Sequence, residues 1–510
     1  MLFADDERAF ARAVSRLAHS NPFLPERFEA EREVLGDDFD PASTWQPLDG
    51  PEPAPNVVKI GARVTALAER VRERLGAATS DDAEDLALYE DLVTYLLFDR
   101  YEVDLFGLIE REAATARVER YREFVGDHYH FLGARPDAFH LLRNPAHLLA
   151  TFFQVRRAFH HIHGTIMGAS GPAVRLRAAV WQSVFTHDSH RYRRGLHARM
   201  GDIATLITGP SGTGKELVAR AIGLSRYIPF NPTTQAFAEE PAAAFFPLNL
   251  SALSPTLVES ELFGHRRGAF TGALTDRKGW FEVCPPLGTV FLDEIGEVEP
   301  AIQVKLLRVL QTRMFQRLGD TTPRRFEGKI IAATNRDLAA AIAAGHFRED
   351  FYYRLCADVI VTPSLADQLQ DSPDELSTLV HAIARRVAGD AEAEGLAAEA
   401  EQWIRRNLGP EYAWPGNVRE LEQCVRNVMI RGSYQPSTAG PRPESRASFV
   451  DALFDGALTA DELLRRYCTL VYARTRNYLD TARRLGIDRR TVRAKVDPAM
   501  LAELDGDRAR

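Results

Sequence analysis

The sequence contains few cysteines and no long apolar run, and both features narrow the class of protein. Only four of its 510 residues are cysteines, and none of them forms a C-x-x-C pair. Disulfide scaffolds and zinc clusters are therefore disfavoured, and a reducing compartment is predicted. No uncharged stretch approaches the ~20 residues that a membrane span needs. The first eight residues are acidic where a signal peptide requires a basic flank and an apolar run, so we expect a cytoplasmic protein without membrane contact.

The chain also lacks a strong excess of positive charge. Its formal net charge of -8 excludes a protein that coats nucleic acid with its whole surface, although a small basic module can be hidden within that average. Apolar residues make up 45% and charged residues 26% of the chain, which is the composition of folded protein. At this length a single core is excluded, and three or four domains are expected.

Changes in residue pattern along the chain predict the domain organisation. Residues 1–164 carry apolar positions at helical spacing and no strand signals, which indicates a helical regulatory or sensory domain for an unknown signal. Residues 165–362 alternate short β-branched runs with helical stretches, the pattern of an α/β core with a parallel sheet. Residues 363–432 are again helical. Residues 433–457 have the composition of a flexible linker, and residues 458–510 form a last helical module.

A phosphate-binding loop is predicted near residue 209. The strand-like run that begins at Asp202 leads into a glycine-rich turn, and a helical pattern follows from Glu216. Glycines let backbone N–H groups face phosphates, and the helix N-terminus adds positive potential. A glycine-rich surface turn is the alternative interpretation. The predicted nucleotide-binding residues are Gly209, Pro210, Ser211, Gly212, Thr213, Gly214, Lys215 and Glu216.

Two adjacent carboxylates complete the predicted site. Asp293 and Glu294 follow an apolar run, which places both at the carboxyl end of a buried strand. One carboxylate can hold Mg²⁺ and the other can orient and deprotonate a water molecule. We assign the metal to Asp293 and the base to Glu294, with ATP as the substrate. Solvated acids at a strand end are the alternative.

The chain from about 165 to 432 resembles the AAA+ domain of the bacterial sigma-54-dependent transcriptional activators, the enhancer-binding proteins. Glutamate after the loop lysine is usual in that family. The resemblance implies an AAA+ P-loop ATPase core with a helical lid, which hydrolyses ATP to remodel the sigma-54 RNA polymerase closed complex. The matching stretches are 209–219, Glu259-Ser-Glu-Leu-Phe-Gly-His265, Gly268-Ala-Phe-Thr-Gly-Ala273, Phe291-Leu-Asp-Glu-Ile-Gly-Glu297, Ile331-Ala-Ala-Thr-Asn335, Phe347-Arg-Glu-Asp-Phe-Tyr-Tyr-Arg354 and Trp414-Pro-Gly-Asn-Val-Arg-Glu-Leu421.

The resemblance also implies roles for five further residues. Asn335 looks like the sensor of the γ-phosphate, and Asn249 looks like the switch residue that holds Glu294 away from water. Arg348 and Arg354 look like arginine fingers that act on the nucleotide of the next subunit, and Arg419 looks like the second sensor, in the lid. Fingers that act in trans require a ring, so an active hexamer is expected. Surface salt bridges are the alternative for the two finger residues.

The segment between the phosphate loop and the strand carboxylates resembles the loop with which these activators contact the sigma factor. Glycines on both sides of its aromatic residue permit many backbone shapes, so modest movements beneath the loop can raise and lower it. A phenylalanine buried in a tight turn is the alternative. The predicted contact residues are Gly268, Ala269, Phe270, Thr271, Gly272 and Ala273.

The end of the chain resembles a Fis-type helix-turn-helix. A helix from about Asp461 is followed by two short helical patterns joined at Gly486. This spacing and a basic second helix predict a DNA-binding domain for upstream sites, which usually acts as a dimer on palindromes. A basic solvated helix end is the alternative. The predicted DNA contacts are Arg489, Arg490, Thr491, Arg493 and Lys495, with Arg490 and Thr491 at base edges.

Some features have no clear role in the sequence. Ten of the 14 histidines lie between His128 and His197, and structural histidines are favoured over a metal or proton sensor because no companion ligand spacing is present. Residues 187–199 look like a basic insertion. Two alternative functions stay open: a ligand-responsive DNA-binding regulator that binds nucleotide without remodelling polymerase, and a general AAA+ remodelling protein. Retention of the Gly268–Ala273 loop disfavours the first, and the terminal module disfavours the second.

Overall fold

The computed structural model divides the chain into two compact units, Met1–Ser433 and Tyr434–Arg510. The structure describes residues 2–41, 54–77, 82–135, 138–139, 144–240, 244–410, 412–436, 459–497 and 500–501. Most of the predicted linker, residues 437–457, lies outside these residues. No helix in the described ranges is long and apolar enough to cross a membrane.

The amino-terminal third of the first unit is helical, as predicted. In α3 the apolar residues Val64, Leu67, Val71 and Leu75 recur at helical spacing, and all four are buried in one core with residues of α1 and α4. Burying one face of each helix against its neighbours stabilises the bundle. The helices are α1 Asp5–His19, α2 Glu26–Leu35, α3 Pro55–Ala77, α4 Ala83–Glu110, α5 Tyr121–Leu132, α6 Pro145–Thr165, α7 Gly171–Phe185 and α8 Ser189–Arg194.

A five-stranded parallel sheet forms the centre of the first unit, with strand order β11-β1-β10-β7-β4. Three of these strands were predicted from sequence, whereas β4 and β11 were not, and three short hairpins flank the sheet. The strands are β1 Thr205–Thr208, β2 Phe230–Asn231, β3 Ala236–Phe237, β4 Phe245–Asn249, β5 Gly264–His265, β6 Arg277–Lys278, β7 Thr289–Asp293, β8 Met314–Phe315, β9 Arg324–Arg325, β10 Lys329–Thr334 and β11 Asp358–Val361.

Successive residues of the central strands belong to different cores. Leu206 and Leu292 are buried on one side of the sheet, while Ile207 and Phe291 are buried on the other. Because side chains alternate across a strand, both faces of the sheet must be covered, and this explains the unbroken apolar runs in the sequence. The α/β prediction is confirmed. The remaining helices of the core are α9 Lys215–Leu224, α10 Pro255–Phe263, α11 Trp280–Val283, α12 Pro300–Thr312, α13 Leu338–Ala343 and α14 Glu349–Leu355.

The helix α6 connects the amino-terminal bundle to the α/β core. Its residues Phe152 and Phe153 belong to the bundle core, whereas Ala158, Phe159 and Ile162 share a core with the sheet. The predicted domain boundary at 164–165 falls at the end of this helix and stays a prediction. The contacts of α6 show that the bundle and the ATPase-like core pack together through it.

Within the part of the chain that the structure describes, four helices follow the sheet in the first unit and three lie in the second unit. The first four lie within residues 363–432, the segment predicted as the helical lid: α15 Leu365–Asp371, α16 Glu375–Ala388, α17 Asp390–Asn407 and α18 Asn417–Arg431. The second unit contains α19 Ala460–Thr475, α20 Tyr478–Leu485 and α21 Arg489–Lys495. Thr459 caps α19 in a capping box with Glu462, and Asn477 and Asp488 cap the two short helices, so each start is specified locally.

Candidate nucleotide site and its surroundings

The glycine-rich loop lies between the end of β1 and the start of α9. Gly209, Gly212 and Gly214 have φ angles of 144°, 79° and 88°. A side chain at such positive φ angles is strained, so the loop requires glycine at these points. The loop therefore has the strand-loop-helix context that was predicted, with Lys215 as the first residue of α9.

Lys215 folds back over this loop. Its Nζ donates hydrogen bonds of 3.0 Å each to the carbonyl oxygens of Gly209 and Pro210. Burial lowers the pKa of the lysine, and the nearby charges of Glu294 and Asp293 oppose that shift. The structure thus brings the predicted loop lysine and the two predicted carboxylates into one electrostatic environment.

The two carboxylates lie where β7 ends. Asn249, the last residue of β4, is paired in register with Asp293. Glu294 follows in the left-handed region, with a φ of 55°, and its backbone N–H donates to Asp293 Oδ1 at 3.0 Å. Its buried Oε2 accepts no hydrogen bond from the described part of the chain. A buried carboxylate oxygen without a donor can accept a hydrogen bond from an incoming group.

Asn335 and Asn249 lie at the same sheet edge as the loop. Thr208 pairs with Thr334, so the loop that follows β1 and the exposed Asn335 that follows β10 leave the sheet side by side. Asn249 Oδ1 accepts hydrogen bonds from the backbone and hydroxyl of Ser251, at 3.0 and 2.8 Å. No hydrogen bond joins Asn249 to Glu294 among the described residues, and the switch role of Asn249 stays a prediction.

The helical lid contacts the glycine-rich loop directly. The backbone N–H of Arg419 donates to the carbonyl oxygen of Gly212 at 3.2 Å. Asn417 Nδ2 donates to the carbonyl oxygen of Ser211 at 2.9 Å, while its Oδ1 accepts from the backbone N–H of Leu365. Arg419 is therefore placed beside the loop. Asn417 lies within one of the matching stretches, but no role was predicted for it. Its φ of 54°, in the left-handed region, shows that the backbone is constrained at the residue that makes these two contacts.

The two proposed finger arginines lie on the surface at either end of α14. Arg348 precedes the helix and its guanidinium pairs with Asp350 through hydrogen bonds of 3.0 and 2.8 Å. Arg354 lies in the last turn of the same helix and is exposed. Both are accessible to another molecule, and their assignment as fingers stays a prediction.

The loop Gly268–Ala273 projects from the first unit and is closed by its own backbone. The N–H of Gly268 donates to the carbonyl oxygen of Ala273 at 2.8 Å, and the N–H of Ala273 donates to that of Phe270 at 3.0 Å. Phe270 is half-buried, with its ring 5.0 Å from that of His265, while Thr271 is exposed. The aromatic residue therefore packs under the loop, and Thr271 lies at the solvent side.

In the second unit, the basic residues of α21 differ in how freely they are presented. Arg489, Arg490 and Arg493 are exposed. By contrast, Lys495 forms an ion pair with Asp461, and the hydroxyl of Thr491 donates to Asp488 Oδ2 at 2.5 Å as part of the helix cap. Arginine is thus available on this helix, whereas Lys495 and Thr491 already have partners.

The described histidines form small clusters with structural partners. His147 and His197 pack against Tyr227. His190 lies beside His19, which contacts Asp91 through Nε2 at 2.9 Å. His19, Asp91 and His190 are close enough together to contact one cation. However, the Arg193 guanidinium lies 3.7 Å from the Asp91 carboxylate, and its positive charge would repel a cation there. The stretch 187–199 thus folds as α8 and short turns. The sequence did not predict a function for this stretch.

A glycine-rich loop after β1, carboxylates at the end of β7, two strands away in the sheet, and a helical lid on the loop define the class of AAA+ P-loop proteins. Comparison with known proteins then narrows that class. Residues 189–361 match the family described as the Sigma-54 interaction domain.

Several bacterial regulators are similar to this part of the chain. The Nif-specific regulatory protein of Klebsiella pneumoniae is 44% identical over 229 residues, which are 45% of this chain and 40% of that protein. The transcriptional regulatory protein ZraR of Escherichia coli (strain K12) is 38% identical over 305 residues, 58% of this chain and 63% of that protein. Residues 189–361 are thus similar to the domain shared by sigma-54-dependent regulators, and the similarity covers part of the chain. The chain spans 40% to 63% of the length of these relatives.

A solved structure of NtrX from Brucella abortus in complex with ATP covers 71% of this chain, and the match spans 76% of that chain. Its sequence identity is 24% and its TM-score is 0.39.

Proposed function

We propose that the protein is an ATP-hydrolysing transcription activator that remodels the sigma-54 RNA polymerase closed complex while bound to upstream DNA. The observation that carries this proposal is the meeting of Lys215, Asp293 and Glu294 at one sheet edge, in a unit that also carries the exposed loop Gly268–Ala273. The names of similar proteins support regulation of transcription, and that of NtrC from Rhizobium meliloti also includes DNA binding.

The residues at the sheet edge have the chemistry that ATP and Mg²⁺ require. The loop 209–214 and the N-terminus of α9 would bind phosphate through backbone N–H groups, and Lys215 would exchange its two carbonyl partners for phosphate oxygens. Asp293 would hold Mg²⁺, which supplies positive charge beside the phosphates. The acceptor oxygen Glu294 Oε2 fits a base that orients water and takes its proton.

Arg419, Asn335 and Asn249 would report whether nucleotide is present. Arg419 is joined to the phosphate loop through its backbone, so a change in the loop would pass into the lid. Asn335 and Asn249 leave strands that neighbour the loop and the carboxylates. We propose that Arg348 and Arg354, exposed at α14, act on the nucleotide of a neighbouring subunit, which requires a hexameric ring.

The loop Gly268–Ala273 would contact the sigma factor. A Cβ placed on Gly268 or Gly272 meets no other atom within 4 Å, so the glycines are needed for backbone conformation and not for close packing. Their φ angles of 82° and 101° favour glycine. Thr271 and the side chains around it are therefore free to meet a partner as the loop changes shape.

The second unit would hold the activator on DNA through α21. The arginines at 489, 490 and 493 supply exposed positive charge for phosphates or base edges, and a dimer would place two such helices on a palindromic site. Lys495 would have to leave Asp461 to contact DNA.

Two substitutions test the coupling of hydrolysis to activation. Glu294→Gln should bind ATP with near-normal affinity but hydrolyse it ~10²–10⁴-fold more slowly, because the base is lost and the shape is kept. Thr271→Ala should keep ATP turnover within about twofold, while transcription from a sigma-54 promoter disappears. Exposed Thr275, outside the loop motif, offers the matched control Thr275→Ala, which should retain both activities.

Phosphate release and transcription should be measured on the same full-length preparations. Near-normal hydrolysis by Glu294→Gln would show that another group is the base. Full transcription by Thr271→Ala would refute the role of the loop. Nucleotide and DNA binding without any hydrolysis by the wild type would instead favour a regulator that does not remodel polymerase.

A further inference from the structure

The amino-terminal bundle encloses a cavity of about 210 Å³ that the proposed ATPase and DNA functions do not use. It lies among α1, α2, α3, α4, α6, α7 and α8. Aromatic side chains from three of these helices form much of its wall, namely Tyr95, Phe98, Phe152, Phe159 and Trp181. An apolar cavity of ~150 Å³ can hold benzene, so this space suits a ring with a substituent.

One positive charge in this wall has no acidic partner at ion-pair distance among the described residues. Arg156, on α6, is only 4% exposed, and its guanidinium carbon lies 4.0 Å from the centre of the Phe106 ring. Burial lowers the pKa of Arg156, and the charge of Glu102, which lies beyond ion-pair distance, opposes that shift. The other two arginines of the lining differ because each lies near a carboxylate: Arg27 Nε is 3.2 Å from Glu31, and the Arg193 guanidinium is 3.7 Å from Asp91.

The lining contains three arginines, Arg27, Arg156 and Arg193, but only two carboxyl groups, Asp99 and Glu102. Burial raises the pKa of Asp99 to about 6 and that of Glu102 to about 7. A guanidinium stays protonated in proteins, so Arg156 keeps its charge throughout this range. The cavity thus combines an apolar body with more arginines than carboxyl groups in its lining, and a carboxyl group that is partly protonated can donate a hydrogen bond.

We propose that this cavity is a binding site for a small, mainly apolar organic acid, whose ring packs among the aromatic side chains and whose carboxylate pairs with Arg156. Arginine binds carboxylates through paired N–H donors, and a low-polarity surrounding strengthens that contact. The signal that the amino-terminal domain senses would then be a ligand of this class.

The helix α6, which carries Arg156, also donates hydrogen bonds to the end of α9, the helix that follows the phosphate loop. One turn of α6 places Arg156 at the cavity, while the adjacent Arg157 Nε donates to the carbonyl oxygen of Leu224 at 2.7 Å. Gln154 Nε2 donates to the carbonyl oxygen of Ser225 at 2.9 Å. These carbonyls lie at the end of α9, which begins at Lys215. A ligand that shifts α6 would therefore shift α9.

Binding can be tested with phenylacetate and its cationic analogue phenethylamine, titrated calorimetrically into the full-length protein. Phenylacetate should bind, because its carboxylate can pair with the Arg156 guanidinium. Phenethylamine should bind at least about tenfold more weakly, because its ammonium group carries the same charge as Arg156 and leaves that charge unpaired. Arg156→Gln should weaken phenylacetate by about tenfold or more, and Arg156→Lys should restore part of that loss. Exposed Arg191 on α8 provides the control Arg191→Gln, which should leave affinity unchanged.

A second variant tests the cavity itself, independently of the arginine. Val155→Trp places a large side chain into the lining and should abolish phenylacetate binding while α6 keeps its hydrogen bonds to α9. Absence of phenylacetate binding to the wild type at about 10 mM, equal or tighter binding of phenethylamine, or full binding by folded Val155→Trp would each overturn the proposal. Binding of phenylacetate does not depend on ATP hydrolysis, so this test can fail while the proposed function holds, and the reverse. The link through α6 is tested separately, by measuring whether phenylacetate changes the ATPase rate.

Discussion

Replacement of Gly212 by alanine should detach the lid from the phosphate loop. A Cβ added at Gly212 would lie 2.2 Å from the carbonyl oxygen of Gly416, where no real contact is possible, and 3.1 Å from Arg419 Cβ. Either the loop or the start of α18 must move. That movement breaks the hydrogen bonds that Arg419 and Asn417 make with the loop.

The magnitude follows from two separable effects. At a φ of 79° the alanine Cβ costs ~1–2 kcal/mol of backbone strain. Loss of two hydrogen bonds between lid and loop adds ~0.5–1.5 kcal/mol each. Gly345→Ala isolates the first effect, because Gly345 has a φ of 74° and its Cβ would meet nothing within 4 Å. The lid contact alone should therefore differ between these variants by ~1–3 kcal/mol.

Hydrogen exchange at the Arg419 amide measures this difference directly, because that amide donates to the carbonyl oxygen of Gly212. Its exchange should be ~5–150-fold faster in Gly212→Ala than in Gly345→Ala, since each 1.4 kcal/mol is a factor of ten. Gly214→Ala gives a second control, with φ 88° and a nearest contact of 3.7 Å. Equal exchange in all three variants would refute the idea that the lid is seated on the loop.

Two further predictions concern buried and paired charges. Burial lowers the pKa of Lys329 to about 8 from an ordinary 10.5. The unfolded chain therefore binds this proton more tightly than the folded chain does, and the buried lysine reduces the free energy of unfolding most below pH 8. The free energy of unfolding of the wild type, relative to Lys329→Met, should rise by up to ~3 kcal/mol between pH 7 and 10; in urea titrations, a difference independent of pH would contradict this. Asp461→Asn should release Lys495, tighten DNA binding by a few-fold and steepen its salt dependence by about one phosphate contact; unchanged binding would show that Lys495 does not face DNA.

The sequence was most informative where backbone chemistry is demanding. Glycines at positive φ, a lysine at the start of a helix and carboxylates after an apolar strand each leave a local pattern, and these patterns located the loop, β7 and β10 correctly. The strand β4 was missed because Phe245–Asn249 contains a proline and lies at the edge of the sheet, where such a residue is tolerated. The strand β11 has only four residues and begins with Asp358, a residue type that is depleted in strands, so its sequence signal is short.

Contacts between distant segments could not be predicted in the same way. The pairing of Asn417 with the loop joins residues more than 200 positions apart, and no local periodicity encodes it. The cavity depends on the mutual packing of seven helices, and its aromatic residues look individually like ordinary core positions. The charge of Arg156 was invisible for the same reason, since an arginine on a helix is usually solvated.

Arg157 shows why the amino-terminal bundle cannot be treated as a detachable appendage in stability experiments. It is almost fully buried, and its guanidinium donates to the carbonyl oxygens of Leu224 and Arg226, just where α9 ends. Helix ends leave carbonyls that need donors, and a bundle residue supplies them here. A truncation within α6 would therefore expose the apolar face of the ATPase-like core and leave buried carbonyls unsatisfied. Altered activity in such a truncated protein would report on the folding of α9 as well as on regulation, whereas point variants at the cavity separate the two.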